Sequence, residues 1–282
     1  MHSRVSVALS EDPARVQEHV GARIALAPAD VHLWLMFYDQ VADEQLQPYR
    51  ALLNAAEREQ VPRFYFARDR RRYLATRLLV RTVLSRYAPI APEDWVFCTN
   101  AHGRPQVANP EVGAGGLKFN ISHTHSLIVL GVTRRSAVGV DVENIFAREA
   151  SLAVAARFFA FDEVVALSSV PGWQQQYRFF EYWTFKESYI KARGMGLSLP
   201  LDKFSICYPD DHRVAITIAP ELEDDPARWK LWQFRPFPEY LVAVCAERAG
   251  ARCPNPVVRI ARLGAADIPF TPTFLRTSEA IS

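Results

Sequence analysis

The sequence has few cysteines, and their spacing gives them no evident structural role. Its 282 residues include four, at Cys98, Cys207, Cys245 and Cys253, and no two of them form a Cys-x-x-Cys pair. This pattern argues against a disulfide framework and against a structural zinc site. A reducing compartment is the simplest interpretation, so we expect a cytoplasmic protein.

Long apolar runs and a strong overall charge are also missing. The longest dense apolar run, at residues 31–38, is far too short to span a bilayer, and the N-terminus lacks the features of a signal peptide. The formal net charge is only +2, from 33 basic and 31 acidic residues. Hydrophobic residues make up 49% of the chain and charged residues 23%, which is typical of a globular protein rather than a disordered one. We therefore expect a soluble protein without a membrane partner.

The hydrophobic periodicity predicts a chain of the α+β class. Helical patterns cover residues 55–87 and 174–193, with shorter candidates at 151–159 and 162–168. Strands are predicted at 31–38, 117–122, 127–133, 138–143, 204–208, 214–218, 230–234 and 240–246. We divide the chain into an extension (1–29), two similar α+β halves (30–135 and 136–248) and a tail (249–282). The tail is proline-rich with little periodicity, which is typical of a wrapping arm or a disordered segment.

The near-neutral balance conceals a strongly basic helical segment. Between Arg58 and Arg86 there are nine arginines against only Glu59 and Asp69, a local balance of +7. Such a helix can bind nucleic acid, a membrane surface, an acidic partner or a phosphorylated small molecule. A solvated helix face is the simpler alternative, with the arginines covering the surface around an apolar stripe.

Two carboxylates occupy one face of a predicted strand. In Val138–Glu143, alternation places Asp141 and Glu143 on the same side, roughly 7 Å apart. Carboxylates at that separation can share a hard divalent cation. A half-exposed strand with a solvated polar face explains the same pattern.

Two further segments could carry chemistry. Glu187 and Lys191 lie one helical turn apart, and a carboxylate beside a lysine suits phosphoryl-type transfer, although a surface ion pair has the same spacing. Ser122 and His123 lie where a strand gives way to a turn, where they could meet a phosphate or serve the turn itself. A zinc site at His123 and His125 lacks an evident third ligand.

Taken in order, these segments resemble the 4′-phosphopantetheinyl transferases of the surfactin-synthetase-activating type. The matching blocks are Gly103-Arg-Pro105, Phe119-Asn-Ile-Ser-His123, Val138-Gly-Val-Asp-Val-Glu143 and Trp183-Thr-Phe-Lys186-Glu187-Ser, with Lys191 following. The resemblance implies a monomeric pseudo-dimer of two α+β halves, with internal pseudo-two-fold symmetry and the active site in the cleft between them.

The resemblance also implies a reaction and its partners. The phosphopantetheine arm of coenzyme A passes to a serine hydroxyl of an acyl, aryl or peptidyl carrier protein, including carrier domains of polyketide and nonribosomal peptide synthases. The by-product is adenosine 3′,5′-bisphosphate. Mg²⁺ is the implied cofactor, and nucleic acid is not an expected partner.

Individual roles follow from the matched motifs. The implied Mg²⁺ ligands are Asp141, Glu143 and Glu187. Glu187 or Glu163 would accept the serine proton, and Lys191 would stabilise or protonate the leaving phosphate. The nucleotide would be held by Ser122, His123, Arg72 and Arg104, with Lys186 as a weaker candidate for phosphate contact. The chain departs from the family at Glu57 and Gln60, where some members carry lysines, and at Arg104, where lysine is frequent.

Two other hypotheses stay open at this point. One is a binder of carrier proteins or coenzyme A that keeps the fold without turnover, against which the intact acidic residues and Lys191 speak. The other is a nucleic-acid-binding module built on the arginine-rich helix, although no standard nucleic-acid motif is present.

Overall fold

The computed structural model describes residues 22–113, 116–250 and 253–278, and its architecture is α+β, as predicted. The α-helices in these ranges are α1 (Asp43–Leu46), α2 (Ala55–Gln60), α3 (Ala67–Leu84), α4 (Leu152–Phe158), α5 (Phe161–Ser169) and α6 (Gly172–Arg193). The strands are β1 (Asp30–Phe37), β2 (Phe97–Thr99), β3 (Pro105–Val107), β4 (Lys118–His123), β5 (Leu127–Thr133), β6 (Val138–Asn144), β7 (Phe204–Cys207), β8 (Ala215–Ile218), β9 (Trp229–Phe234), β10 (Tyr240–Glu247), β11 (Asn255–Ile260), β12 (Ile268–Phe270) and β13 (Phe274–Thr277).

The chain forms two compact units that do not follow chain order. The smaller unit contains the described residues up to 25, residues 37–95 and residues 261–267. The larger contains residues 26–36, residues 96–260 and the chain from 268 onward. The division at residue 135 stays a prediction, and most of the predicted extension, residues 1–21, lies outside the described chain.

Two sheets form the framework of the larger unit. One has the order β12-β11-β1-β5-β4, with β1 and β11 parallel. The other has the order β13-β9-β10-β6 and is antiparallel throughout. Two hairpins, β2-β3 and β7-β8, complete the strands of this unit. The strand β6 is thereby an edge of the antiparallel sheet.

Helix α6 packs directly against β6. A Cβ on Gly139 would overlap the Ser188 carbonyl oxygen and the Ala192 amide, so only glycine permits this approach of the two backbones. The helix ends where Gly194 adopts a left-handed conformation (φ +69°) and donates its N–H to the Ile190 carbonyl. Its aromatic face lies in the core of the larger unit with side chains of the antiparallel sheet. Residues on β6 and on the adjacent helix face are therefore held at fixed positions.

The smaller unit is built around α3, and here the single predicted helix over residues 55–87 is wrong. The helix is interrupted after α2, where Pro62 lies in a short 3₁₀ turn, and α3 begins only at Ala67. Leu74 and Leu78 pack into the apolar cluster of this unit, as the apolar stripe predicts.

One arginine of the basic segment is a core residue rather than a surface one. Arg81 is fully buried and forms an ion pair with Glu57 at 2.8 Å. Its guanidinium also donates to the carbonyls of Pro92 and Trp95 at 2.9 and 3.0 Å. One positive charge of the basic segment is thus neutralised by an ion pair inside the unit and does not contribute to a basic surface.

The tail beyond residue 249 is ordered into strands, which sequence periodicity did not indicate. β11 pairs with β1 in the five-stranded sheet, while β13 pairs with β9 in the other. Pro256 is the second residue of β11, before the part of that strand that pairs with β12, and Pro269 lies in the edge strand β12, so these prolines do not prevent pairing. No helix among the described residues is long and apolar enough to cross a bilayer.

Candidate active site

A pocket of about 300 Å³ opens in the larger unit where β4, β6 and α6 meet. Three of its walls come from different elements, yet all belong to one compact unit. Its lining residues are Ile121, Ser122, His123, Asp141, Val142, Glu143, Trp183, Glu187 and Lys191. The pocket therefore combines three carboxylates with a lysine and a histidine.

Side chains of β4 hold the free edge of β6 in place. Three polar side chains, two on β4 and one just after it, accept the backbone N–H groups of alternate β6 residues: Asn120 from Val140 (2.9 Å), Ser122 from Val142 (3.3 Å) and Thr124 from Asn144 (3.0 Å). This side-chain ladder satisfies edge amides that would otherwise be unpaired. It also fixes the direction in which the acidic residues of β6 point.

Asp141 lies at the centre of the pocket. Its Oδ1 accepts hydrogen bonds from the Ser122 hydroxyl at 2.9 Å and from the Lys191 ammonium at 2.6 Å. Lys191 donates to the Ser122 oxygen as well, at 3.0 Å. Among the residues that the structure describes, the buried Asp141 Oδ2 finds no hydrogen-bond partner. The central carboxylate thus has one saturated and one unused oxygen.

Glu143 lies two residues further along β6, beside Asp141. Its Oε1 accepts from the Trp183 indole at 3.1 Å and from the Arg148 guanidinium at 2.6 Å. Arg148 in turn lies over the Trp183 ring, 6.0 Å from its centroid. Two groups that sequence reasoning did not single out, Trp183 and Arg148, therefore orient this carboxylate.

Two glutamates of the pocket have raised pKa values. Burial, followed by the charge of Asp141, raises the pKa of Glu143 to about 7, against the opposing effect of Arg148. Burial and Asp141 also raise the pKa of Glu187, which Lys191 partly offsets. Carboxylates in this situation are stabilised as anions by an added cation.

The structure brings together six of the residues predicted from sequence. They are Ser122, His123, Asp141, Glu143, Glu187 and Lys191. The Ser122 hydroxyl, which was expected to hold the nucleotide, is engaged by Asp141, Lys191 and the Val142 amide.

Glu163 and Lys186 are not brought to the pocket. They form an ion pair of 2.6 Å in which both side chains are 0% exposed. Glu163 accepts further hydrogen bonds from the amides of Ile206 and Ala160, and Lys186 donates to the Phe204 carbonyl. Because each charge is enclosed by its partner, neither side chain is available as a proton acceptor or a phosphate ligand.

The two arginines predicted to hold the nucleotide are not among the residues that line the pocket. The Arg104 guanidinium donates to the carbonyls of Ala192 and Val138, both at 2.9 Å. Arg72 lies on α3 of the smaller unit, where it forms an ion pair with Asp69 at 3.1 Å. The terminal nitrogens of Arg104 thus contact backbone, and the nucleotide contacts of both arginines stay predictions.

Some of the missed residues left a trace in the sequence. Trp183 precedes Glu187 by four positions on one helix, which places both on the same face. Asn120 and Thr124 lie two positions before and after the predicted Ser122, which is the spacing that a polar ladder along an extended chain requires. Arg148 lies in the connection after β6, and no periodicity marked it.

The sequence matches two family models in succession. Residues 40–134 match the model described as 4′-phosphopantetheinyl transferase, N-terminal. Residues 137–245 match the 4′-phosphopantetheinyl transferase superfamily. Both models describe the same family, and together they cover most of the chain.

Curated relatives agree with the family models. The chain is 32% identical to the 4′-phosphopantetheinyl transferase HetI of Nostoc over 227 residues, which is 80% of this chain and 92% of the relative. It is 32% identical to the 4′-phosphopantetheinyl transferase Sfp of Bacillus subtilis over 207 residues, covering 73% and 87% of the two chains. A further 4′-phosphopantetheinyl transferase from Bacillus subtilis is 34% identical over 197 residues, covering 70% and 83%. The resemblance drawn from the four motifs is confirmed, and the chain belongs to the 4′-phosphopantetheinyl transferase family.

Proposed function

We propose that this enzyme transfers the 4′-phosphopantetheine arm of coenzyme A to a serine hydroxyl of an acyl, aryl or peptidyl carrier protein. Adenosine 3′,5′-bisphosphate is the second product. The observation that carries the proposal is the pocket itself, in which Asp141, Glu143 and Glu187 face Lys191 and His123. Acidic residues beside a lysine suit phosphoryl-type transfer from a pyrophosphate.

The acidic residues fit a Mg²⁺ ion by their chemistry. The unused Oδ2 of Asp141 and the raised pKa values of Glu143 and Glu187 favour an added hard cation with oxygen ligands. Within the described chain, no three acidic, His or Cys side chains form a complete ligating set as they stand. Mg²⁺ commonly uses one or two carboxylates and completes its shell with water and substrate phosphates, so a complete protein set is not required.

We assign the ion to Asp141, Glu143 and Glu187. When bound, it would neutralise charge on the pyrophosphate and help to align the reacting oxygens. Lys191 and Arg148 each take one oxygen of Asp141 and of Glu143, respectively, and the second oxygen of Asp141 is left for the ion.

The remaining steps fall to the protein's own groups. Glu187 accepts the proton of the carrier serine, directly or through a water, since Glu163 is enclosed with Lys186. The serine oxygen forms a bond to the phosphorus of the pantetheine phosphate as the bond to the bridging pyrophosphate oxygen breaks. Lys191 stabilises or protonates the departing phosphate, and His123 contacts the nucleotide.

Mass spectrometry of an apo carrier protein tests the proposal. After incubation with the enzyme, coenzyme A and Mg²⁺, we expect the carrier to gain one phosphopantetheine. Folded Asp141→Ala and Glu187→Ala variants should leave its mass unchanged, and a chelator should stop the reaction. Absence of any mass change on several different carriers would contradict the assigned reaction, and turnover in excess chelator would contradict the role of the metal. The cytoplasmic location and the monomeric state stay predictions.

A further inference from the structure

Arg104 connects the two elements that carry the pocket's acidic and basic residues. One terminal nitrogen of its guanidinium donates to the Ala192 carbonyl in the last turn of α6, at 2.9 Å. The other donates to the Val138 carbonyl at the start of β6, also at 2.9 Å. We propose that Arg104 is a positioning residue that sets the distance and orientation of α6 relative to β6, rather than a ligand of coenzyme A.

The helix end offers Arg104 a natural attachment point. The last carbonyls of an α-helix have no partner within the helix, and they carry partial negative charge. A guanidinium has planar donors in a fixed geometry, so one can bind a carbonyl of the helix end while another binds a carbonyl of β6. Burial lowers the pKa of Arg104, which indicates that its charge has left bulk water. Within the described chain, its buried Nε has no hydrogen-bond partner, so this orientation is determined by the two carbonyls alone.

The hairpin that bears Arg104 is itself fixed to the helix end. Asn100 donates to the Gly194 carbonyl at 2.7 Å, while its side-chain oxygen accepts the backbone amide of Arg104 at 2.9 Å. A Cβ on Gly194 would lie 3.0 Å from the Arg104 Cδ. The turn between β2 and β3 is therefore bound to the end of α6 by two hydrogen bonds, from Asn100 to Gly194 and from Arg104 to Ala192.

These contacts lie next to the residues that act in the pocket. Lys191 immediately precedes Ala192 on the helix, and Asp141 follows Val138 by three positions on β6. The Lys191–Asp141 contact of 2.6 Å thus depends on a junction held by Gly139 and Arg104. Displacement of a catalytic group by about 1 Å is enough to cost about a hundredfold in rate.

The inference rests on the proposed transferase activity, so its test separates binding from turnover. Arg104→Met removes both donors at similar length, and Arg104→Lys keeps the charge but loses the planar fork. For Arg104→Met we expect kcat to fall by about tenfold to a hundredfold. Arg104→Lys should lose less, because an ammonium can still donate to one of the two carbonyls. The KM for coenzyme A and the Kd for adenosine 3′,5′-bisphosphate should stay within about twofold of the parent, because the pocket's phosphate contacts are elsewhere.

Arg134→Met is the matched control. Arg134 is a half-buried arginine of the same unit that also donates to a backbone carbonyl, that of Leu26 at 3.3 Å, without touching α6. We expect its kcat to remain within about twofold of the parent. A KM or Kd that rises tenfold in Arg104→Met and recovers in Arg104→Lys would assign Arg104 to nucleotide binding and overturn the proposal. An unchanged kcat in Arg104→Met would overturn it too.

Amide hydrogen exchange gives a second readout that does not need activity. If Arg104 fixes the junction, exchange should accelerate in residues 190–194 and at the start of β6 in Arg104→Met, while the control keeps the parent pattern. Unchanged exchange there would contradict the proposal even if the parent transferred no phosphopantetheine. If Arg104→Met does not fold, Asn100→Ala is the alternative variant, since it removes the hydrogen bond to the Gly194 carbonyl. Its amide exchange should accelerate in the same residues by a smaller amount. Exchange equal to that of the parent would contradict the proposal.

Discussion

Helix α6 carries two lysines in ion pairs of equal length and very different character. Lys186 lies 2.6 Å from Glu163, and Lys191 lies 2.6 Å from Asp141. The first pair is completely buried, whereas the side chains of Lys191 and Asp141 are 26% and 7% exposed. Five residues along a helix turn the side chain by about 140°, so the two lysines point in different directions.

The two ion pairs differ in how many of their polar atoms have hydrogen-bond partners. Around Lys186, a backbone carbonyl and two backbone amides complete the shell of the ion pair. Around Lys191, Asp141 keeps an unused oxygen, and two more carboxylates stand nearby with raised pKa values. A complete shell indicates a structural pair, and an incomplete one beside a pocket indicates a site.

The largest effect on stability should follow from breaking the buried pair. Lys186→Met leaves Glu163 charged and enclosed, and we expect a loss of about 3–5 kcal/mol in the free energy of unfolding. Urea denaturation measures it. The double variant Glu163→Leu with Lys186→Met should lose less than the single variant, because no uncompensated charge remains. A single variant as stable as the parent would show that the pair has no structural role.

Breaking the pocket pair should affect turnover instead. Lys191→Met should lower kcat by about a hundredfold to a thousandfold, because the leaving phosphate loses its charged donor. Its free energy of unfolding should fall by less than that of Lys186→Met, because Lys191 is partly solvated and Asp141 keeps its hydrogen bond from Ser122. Lys203→Met, at an exposed lysine 3.8 Å from Glu221, serves as the control for kcat. If Lys191→Met lost as much unfolding free energy as Lys186→Met, the conclusion that only the Lys186 pair is structural would be wrong.

The buried side chain of His32 extends the comparison to the effect of pH. Burial, reinforced by Arg259, lowers the pKa of His32 to about 4, and Asp30 offsets this only in part. Because the unfolded chain binds the proton more readily, stability should fall as the pH drops from about 6.5 to 4, by at most about 3 kcal/mol. The measurement is the difference in unfolding free energy between the parent and His32→Gln across this range. A constant difference would mean that His32 titrates normally.

The smallest effect is expected for an exposed pair. Arg71 and Asp43 lie 2.7 Å apart in the smaller unit, with side chains 31% and 55% exposed. Asp43→Asn should change the unfolding free energy by less than about 1 kcal/mol, and salt should reduce the effect further. A larger loss of unfolding free energy, measured by thermal or urea denaturation, would mean that the length of an ion pair determines its contribution to stability more than its burial does.

Much of the site followed from local periodicity. Alternation placed Asp141 and Glu143 on one face of β6, and helical spacing paired Glu187 with Lys191. Both inferences need only neighbours along the chain. The α+β class followed in the same way, from the alternation of helical and strand patterns.

The rest depended on contacts between distant segments. Lys186 is enclosed by Glu163 on another helix and by a carbonyl of β7, so its burial had no local signal. Arg104 was assigned to the nucleotide from its motif, yet its partners are backbone carbonyls that only the packing of α6 on β6 brings together. The strands of the tail were missed because β11 and β13 are completed by distant partners, β1 and β9, and β12 pairs with β11.

The pairing of β1 with β11 has a consequence for the order of folding. β1 lies inside its sheet, between β5 and β11, and Asp30 is in register with Asn255. β1 ends at Phe37 and β11 begins at Asn255, so the ribosome makes β1 long before it makes this partner strand. The edge of β1 that pairs with β11 therefore has no partner until β11 has been synthesised, and an unpaired apolar edge is a hazard for aggregation. Expression of this enzyme should therefore be more sensitive to chaperone supply and to C-terminal truncation than the local sequence of the tail suggests.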